Sequence, residues 1–170
     1  MNTPGLVSRI RDAYALLVRL ASYFQSPLLL VLRLYWGWAF FQTGSGKLGD
    51  LSGPTKFFTE LGIPFPAFNA VLVGCTESVC GILLLLGLAS RLAAFPLIIT
   101  LIVAYLTADR EALLAIFSDT DKFLEATPFL FLLASFIIFA FGPGVFSLDY
   151  LIGKKFASSA SASPREAQTI

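Results

Sequence analysis

Four long apolar segments follow one another along the chain, and each is close to the length of a membrane crossing. They cover residues 27–43, 68–88, 92–106 and 128–141. A membrane-spanning helix needs about 20 apolar residues, whereas a membrane β-strand shows about ten residues of alternating polarity, which these segments lack. The pattern predicts an all-α polytopic membrane protein whose core is a bundle of four transmembrane helices.

A shorter amphipathic segment precedes the first apolar segment. In residues 6–24, apolar side chains recur at helical spacing and the arginines lie mostly on the other side of the helix. Arg19 interrupts the apolar positions, which argues against a secretory signal and favours an interfacial helix on the membrane surface. We therefore divide the chain into an interfacial N-terminal segment, a membrane domain and a disordered Ser-rich tail: residues 1–26, 27–150 and 151–170.

The distribution of Lys and Arg predicts the orientation of the helices. Seven of these residues lie in segments on the same side as the N-terminus, and four lie in the two loops on the opposite side. Because basic residues accumulate on the cytoplasmic side of membrane proteins, both termini of this multi-pass chain are expected in the cytoplasm.

Composition excludes several classes of protein. With 56% hydrophobic residues and a mean hydropathy of +0.79, the chain is neither a soluble domain nor a disordered one. A net charge of +1 gives no basic field for nucleic acid. The chain has no His, two Cys and one Met, so it lacks the ligands for a bis-His haem or a four-Cys cluster. We therefore expect no metal site, no intrinsic cofactor and no classical catalytic residue.

Two ionisable residues lie inside the apolar segments, Arg33 in the first and Glu77 in the second. Such side chains are costly in hydrocarbon unless they face protein, water or an opposite charge, so both are candidate functional residues. A direct Arg33–Glu77 pair is one hypothesis. At 1.5 Å per residue, Arg33 lies about 9 Å and Glu77 about 16 Å from the cytoplasmic ends of their helices. Snorkelling of Arg33 to the inner surface is therefore the alternative.

Further polar residues occur at the depth of Glu77 or nearer the outer face: Trp38, Gln42 and Lys47. Together with Glu77 they could line a small polar pocket. A desolvated carboxyl group in such a pocket can exchange protons, as binding of a quinone headgroup or a proton path requires. The alternative is that these side chains only face the outer interface, where Trp is common.

Several short motifs occur in order between residues 27 and 146. They include Val31-Leu32-Arg33-Leu34, Gly37-Trp38-Ala39-Phe40, Gly44-Ser45-Gly46-Lys47-Leu48, Leu61-Gly62-Ile63-Pro64, Leu85-Leu86-Gly87-Leu88 and Arg91-Leu92-Ala93-Ala94. In order and spacing they resemble the DoxX family of small bacterial membrane proteins. The resemblance implies a four-helix bundle in the bacterial inner (cytoplasmic) membrane. It also implies a role beside a soluble oxidoreductase in quinone-linked or thiol-linked redox systems.

The recurrent polar positions of that family correspond here to Arg33, Lys47, Glu77 and Arg91, of which Arg91 is expected to be structural. One hypothesis is therefore a membrane subunit or anchor of a redox complex that binds a quinone. In that hypothesis Glu77 exchanges protons, and the polar lining consists of Arg33, Trp38, Gln42 and Lys47.

Two other functions remain as alternatives. The chain could be a non-enzymatic scaffold or assembly protein, or a small transporter that dimerises to enclose a path. We expect no catalysis by the chain alone. The expected partners are the lipid bilayer, a soluble oxidoreductase or other membrane subunits, and a second copy of the chain.

Overall fold

The computed structural model describes residues 6–161, and within that range it contains helices and no strands. The helices are α1 (Leu6–Gly49), α2 (Ser52–Glu60), α3 (Pro66–Leu86), α4 (Ser90–Thr107), α5 (Arg110–Leu114), α6 (Thr120–Glu125), α7 (Pro128–Phe141) and α8 (Leu148–Ser161). The all-α class predicted from the apolar pattern is therefore confirmed.

Three helices, α1, α3 and α4, are long and apolar enough to cross a membrane. The fourth apolar segment forms α7, whose 14 residues span about 21 Å, less than the roughly 30 Å thickness of a bilayer core. The chain is a membrane protein with three helices of spanning length, and the fourth crossing stays a prediction.

Helix α1 is continuous through the boundary that the sequence suggested near residue 26. Pro27 lies inside this 44-residue helix, so the amphipathic segment and the first apolar segment form one element. Proline is tolerated within membrane helices, where neighbouring groups compensate for the lost N–H donor. The expectation that these two segments form separate helices is therefore wrong. The position of residues 6–24 on the membrane surface stays a prediction.

Helices α1 and α3 pack very closely because glycines lie at their contact. A Cβ atom on Gly44 would lie 2.7 Å from the carbonyl oxygen of Gly74, and one on Gly81 would lie 2.8 Å from that of Gly37. Small residues let the backbones of membrane helices approach in this way. The approach fixes which residues of α1 face α3.

A short turn joins α3 to α4, so the two helices form an antiparallel hairpin. Gly87 ends α3 with a φ of 66°, a left-handed conformation that glycine adopts without a steric penalty. Leu84 of α3 and Leu97 of α4, both fully buried, then belong to one apolar core cluster together with Ile138 of α7. We call this end of the bundle the hairpin end, and the opposite end, where α1 and α4 terminate, the cavity end.

The start of α2 and helix α8 complete the fold, and α8 corrects one expectation. Ser52 makes no side-chain cap for α2 and instead donates from its backbone and hydroxyl groups to the Asp50 carboxylate, at 2.9 and 2.5 Å. The tail predicted to be disordered from residue 151 is helical as far as Ser161 in α8, and residues 162–170 lie outside the described residues.

Candidate functional site

A cavity of about 900 Å³ lies at the cavity end, between α1, α3, α4 and α7. Helix α2 covers it with the side chains of Phe57 and Phe58, and Phe131 of α7 contributes to the opposite wall. Most of the lining is aliphatic or aromatic. The volume lies within the range of small-molecule sites, which are mostly apolar with a few placed polar groups.

The charged groups in the wall are an ion pair between Lys47 of α1 and Glu77 of α3, with Asp109 at the rim. The Lys47 ammonium donates to Oε2 of the Glu77 carboxylate. The Glu77 side chain is 9% exposed and that of Lys47 is 28% exposed, so the pair is largely shielded from solvent. Lys47 lies in the last turn of α1, where a cation also interacts favourably with the helix dipole.

The structure brings Lys47 and Glu77 together because both lie on the contact face of α1 and α3. Lys47 follows Gly44 by three residues and Glu77 follows Gly74 by three residues, so each charge lies one helical turn from the glycine contact. Both residues were predicted to line one pocket, and in the structure they contact each other in the wall of the cavity.

Hydroxyl residues of the cavity were not foreseen from the sequence, among them one on α3 and one in the middle of α4. Thr76 of α3 and Thr100 of α4 both line the cavity, and the Thr100 hydroxyl donates to the Pro96 carbonyl oxygen at 3.0 Å. The only sequence signal for them was a threonine within an apolar helix. This signal is ambiguous, because a hydroxyl group in such a helix can bond to its own backbone as easily as it can line a site.

Trp38 and Gln42 do not join this site, which corrects their expected placement. Trp38 is 51% exposed, and both residues lie along a shallow outer groove of α1 together with Tyr35 and Ala39. The glycines of α1 face α3, and Trp38 and Gln42 lie on the outside of the bundle. Their aromatic and amide groups therefore face the surroundings of the bundle.

Arg33 lies at the hairpin end, away from Glu77, so the hypothesis of an Arg33–Glu77 pair is wrong. Its side chain is fully buried, and Nη2 donates to the carbonyl oxygen of Phe146 in the segment before α8. The Asp149 carboxylate, which accepts from the backbone N–H of Ala89 at 2.7 Å, supplies the opposite charge nearby. The offset in depth along two antiparallel helices explains why Arg33 and Glu77 find different partners.

Arg91 lies at the hairpin end, and its structural role stays a prediction. It lies in the first turn of α4, and Nη2 donates to the carbonyl oxygen of Ala140 at 3.2 Å, which links α4 to the end of α7. The side chain is otherwise exposed at the hairpin end.

The chemistry available at the cavity follows from its lining. Lys47 supplies a hydrogen-bond donor with positive charge, and Glu77 supplies a carboxylate that can hold a proton. Most of the remaining wall supplies apolar contact, with hydroxyl groups such as those of Thr76 and Thr100 among it. Among residues 6–161 no group of three or more His, Cys, Asp or Glu side chains could hold a metal ion. The site is therefore suited to an uncharged organic ligand that has hydrogen-bond acceptors on an otherwise apolar body.

Fold and site together define a helical membrane protein with a polar pair in an apolar cavity, and comparison with known proteins gives its family. The DoxX family model matches residues 28–110. The chain is 35% identical over 137 residues to "Uncharacterized membrane protein Rv3486" of Mycobacterium tuberculosis, covering 76% of this chain and 83% of that protein. It is 31% identical over 117 residues to "Putative oxidoreductase CatD" of Bacillus subtilis, covering 69% of this chain and 86% of that protein.

The chain belongs to the DoxX family, as its motifs indicated. No solved structure matches it significantly. The matched range of the family model includes Arg33, Lys47, Glu77 and Arg91, so both the cavity pair and the two hairpin-end arginines lie inside the family region.

Proposed function

We propose that this chain is the membrane subunit of a redox complex and that a membrane quinone binds with its ring in the cavity, against Lys47 and Glu77. The observation that carries this proposal is the shielded ion pair in the wall of a large apolar cavity. Similarity to a protein named as an oxidoreductase supports the redox link.

The chemistry of a quinone fits the two side chains. Reduction of a quinone to a quinol takes up two electrons and two protons, and the electrons would come from a soluble oxidoreductase partner. The Lys47 ammonium donates a hydrogen bond to a ring carbonyl oxygen, and the Glu77 carboxyl group relays protons to and from the ring oxygens. The quinol-to-quinone direction uses the same groups in reverse.

The proposal includes an orientation in the bacterial inner membrane. With α7 as a fourth, short span and both termini in the cytoplasm, the cavity end faces the outside of the cell. Protons exchanged at Glu77 would then come from or go to the external side. A short helix is accommodated by local thinning of the bilayer.

Quinone binding by the purified chain in lipid nanodiscs tests the proposal. The variants Glu77→Gln and Lys47→Met should each weaken binding of a long-chain quinone by about tenfold or more, since each removes one polar contact and leaves its partner buried without a counter-charge. The matched control is the exposed ion pair of Glu111 and Lys122, whose Nζ–Oε2 distance is 3.0 Å. Glu111→Gln and Lys122→Met should leave quinone binding unchanged.

A non-enzymatic scaffold is the second candidate, because the same ion pair joins α1 to α3 and would serve packing equally well. A double variant, Lys47→Met with Glu77→Leu, separates the two functions. Replacing a whole buried pair by apolar side chains is often neutral for stability. A scaffold would therefore keep its partner and its stability in the double variant, whereas a quinone site would lose its ligand.

A further inference from the structure

The cavity is open on one side, between the outer halves of α3 and α4. Leu72 of α3 and Ile99 and Val103 of α4 all line the cavity, yet they are 49%, 48% and 46% exposed. At the hairpin end, by contrast, Leu84 and Leu97 of the same two helices are fully buried. The two helices therefore pack at their joined end and leave an opening near the cavity, which we call the side opening and define by Leu72, Ile99 and Val103.

The wall of the cavity between α1 and α3 is closed by a tight helix contact. Helices α1 and α3 touch through backbone atoms, since a Cβ atom on Gly44 would lie 2.5 Å from the backbone nitrogen of Ser78. The apolar side chains of Phe57, Phe58 and Leu61 line the cavity on the side of α2, where Phe57 is 48% exposed. The side opening differs from that side because it runs between two helices of membrane-spanning length.

The side opening is apolar along its length. Leu72, Ile99 and Val103 carry no polar atoms, and the Thr100 hydroxyl beside them is already bonded to the Pro96 carbonyl oxygen. Because α3 and α4 are both of membrane-spanning length and apolar, the opening faces hydrocarbon and not water. A route of this kind favours a hydrocarbon chain and excludes ions.

We propose that the ligand enters sideways from the bilayer through the side opening and leaves its hydrocarbon chain there while its ring lies against Lys47 and Glu77. This inference rests on the proposed quinone function and adds its substrate class: a long-chain quinone dissolved in the membrane, in preference to a chainless, water-soluble one. The hydrocarbon chain of the quinone makes binding contacts at the side opening, and Lys47 and Glu77 bind the ring.

The test compares two quinones with the same ring, one with a long isoprenoid chain and one without a chain, on the full protein in nanodiscs. Ile99→Trp places a large side chain in the side opening. It should weaken binding of the long-chain quinone about tenfold or more and change binding of the chainless quinone less than about threefold. Ile102→Trp is the control, because Ile102 lies on α4 at 40% exposure without lining the cavity, and it should change neither.

A second variant, Val103→Trp, keeps the test decisive if the first one does not fold, and thermal unfolding identifies folded samples. Equal effects of Ile99→Trp and Ile102→Trp, or equal affinity of the original protein for both quinones, would overturn the side opening as the route. Failure of the quinone function itself looks different. In that case neither quinone binds the original protein better than it binds Glu77→Gln.

Discussion

Gly44 is where α1 and α3 come closest, and its replacement by alanine should push the two helices apart. The added Cβ atom would lie 2.5 Å from the backbone nitrogen of Ser78, 2.6 Å from its hydroxyl oxygen and 2.7 Å from the Gly74 carbonyl oxygen. Two of these three atoms are backbone atoms that cannot rotate away. The helices must therefore separate, which also strains the nearby contact between Lys47 and Glu77.

The magnitude follows from two opposing terms. Alanine favours a helix over glycine by about 0.5–1 kcal/mol, while overpacking of a tight contact costs about 1–3 kcal/mol. Because the clash involves backbone, the overpacking term should lie at its upper end of about 3 kcal/mol, and Gly44→Ala should lower the free energy of unfolding by about 2–2.5 kcal/mol. Gly46→Ala is the matched control, since a Cβ atom there meets nothing within 4 Å.

Reversible unfolding in mixed detergent micelles, followed by circular dichroism, measures both variants. We expect a lower stability for Gly44→Ala and an equal or higher stability for Gly46→Ala, which gains the helix term alone. Equal stability of the two variants would refute the argument that backbone contact at Gly44 sets the register of α1 and α3.

Three further predictions concern the hairpin end and the segment between α4 and α7. Asp149→Asn should lower the free energy of unfolding by about 1–2 kcal/mol, because it weakens a cap on α4 and removes the charge facing Arg33; unchanged denaturant unfolding would contradict this. The Gly87→Ala variant should accumulate poorly in membranes, because Gly87 has a φ of 66° and an added Cβ atom would overlap the Arg33 guanidinium group. A normal yield of the variant would contradict this. A hydrogen bond and the positive charge from Lys122 lower the pKa of Glu111 below its ordinary value of 4.5. The contribution of this ion pair to stability is thus present above the unfolded-state pKa of Glu111 and is lost as the pH falls through its lower folded-state pKa. Lys122→Met should therefore raise the titration midpoint of Glu111 measured by NMR.

The helices could be foreseen because their signal is local. Length and hydropathy identify α3 and α4 from their own residues, without knowledge of any neighbour. The continuity of α1 could not be foreseen, because Pro27 disfavours a helix in isolation and is accommodated only within the long element. Helix α8 was missed for a related reason. Its Ala- and Ser-rich sequence resembles a disordered tail, whereas Asp149 near its start bonds to backbone groups far away in sequence.

The candidate site was foreseen in composition and only partly in geometry. Depth along a helix can be counted from the sequence, so Lys47 and Glu77 could be assigned to one half of the membrane. The side of α1 that faces α3 depends on where glycines from two helices meet, which is a property of the pair. For this reason Trp38 and Gln42 were predicted on the wrong side of α1.

Photo-crosslinking determines whether a quinone ring binds at Lys47 and Glu77. A long-chain quinone with a photoreactive group on its ring is bound to the full protein in nanodiscs, irradiated, and its attachment sites are found by mass spectrometry. We expect labels on cavity residues such as Thr76, Thr100 and Phe131, and loss of these labels in Glu77→Gln. Labels confined to the outer groove at Trp38 and Gln42, unchanged in that variant, would contradict this expectation.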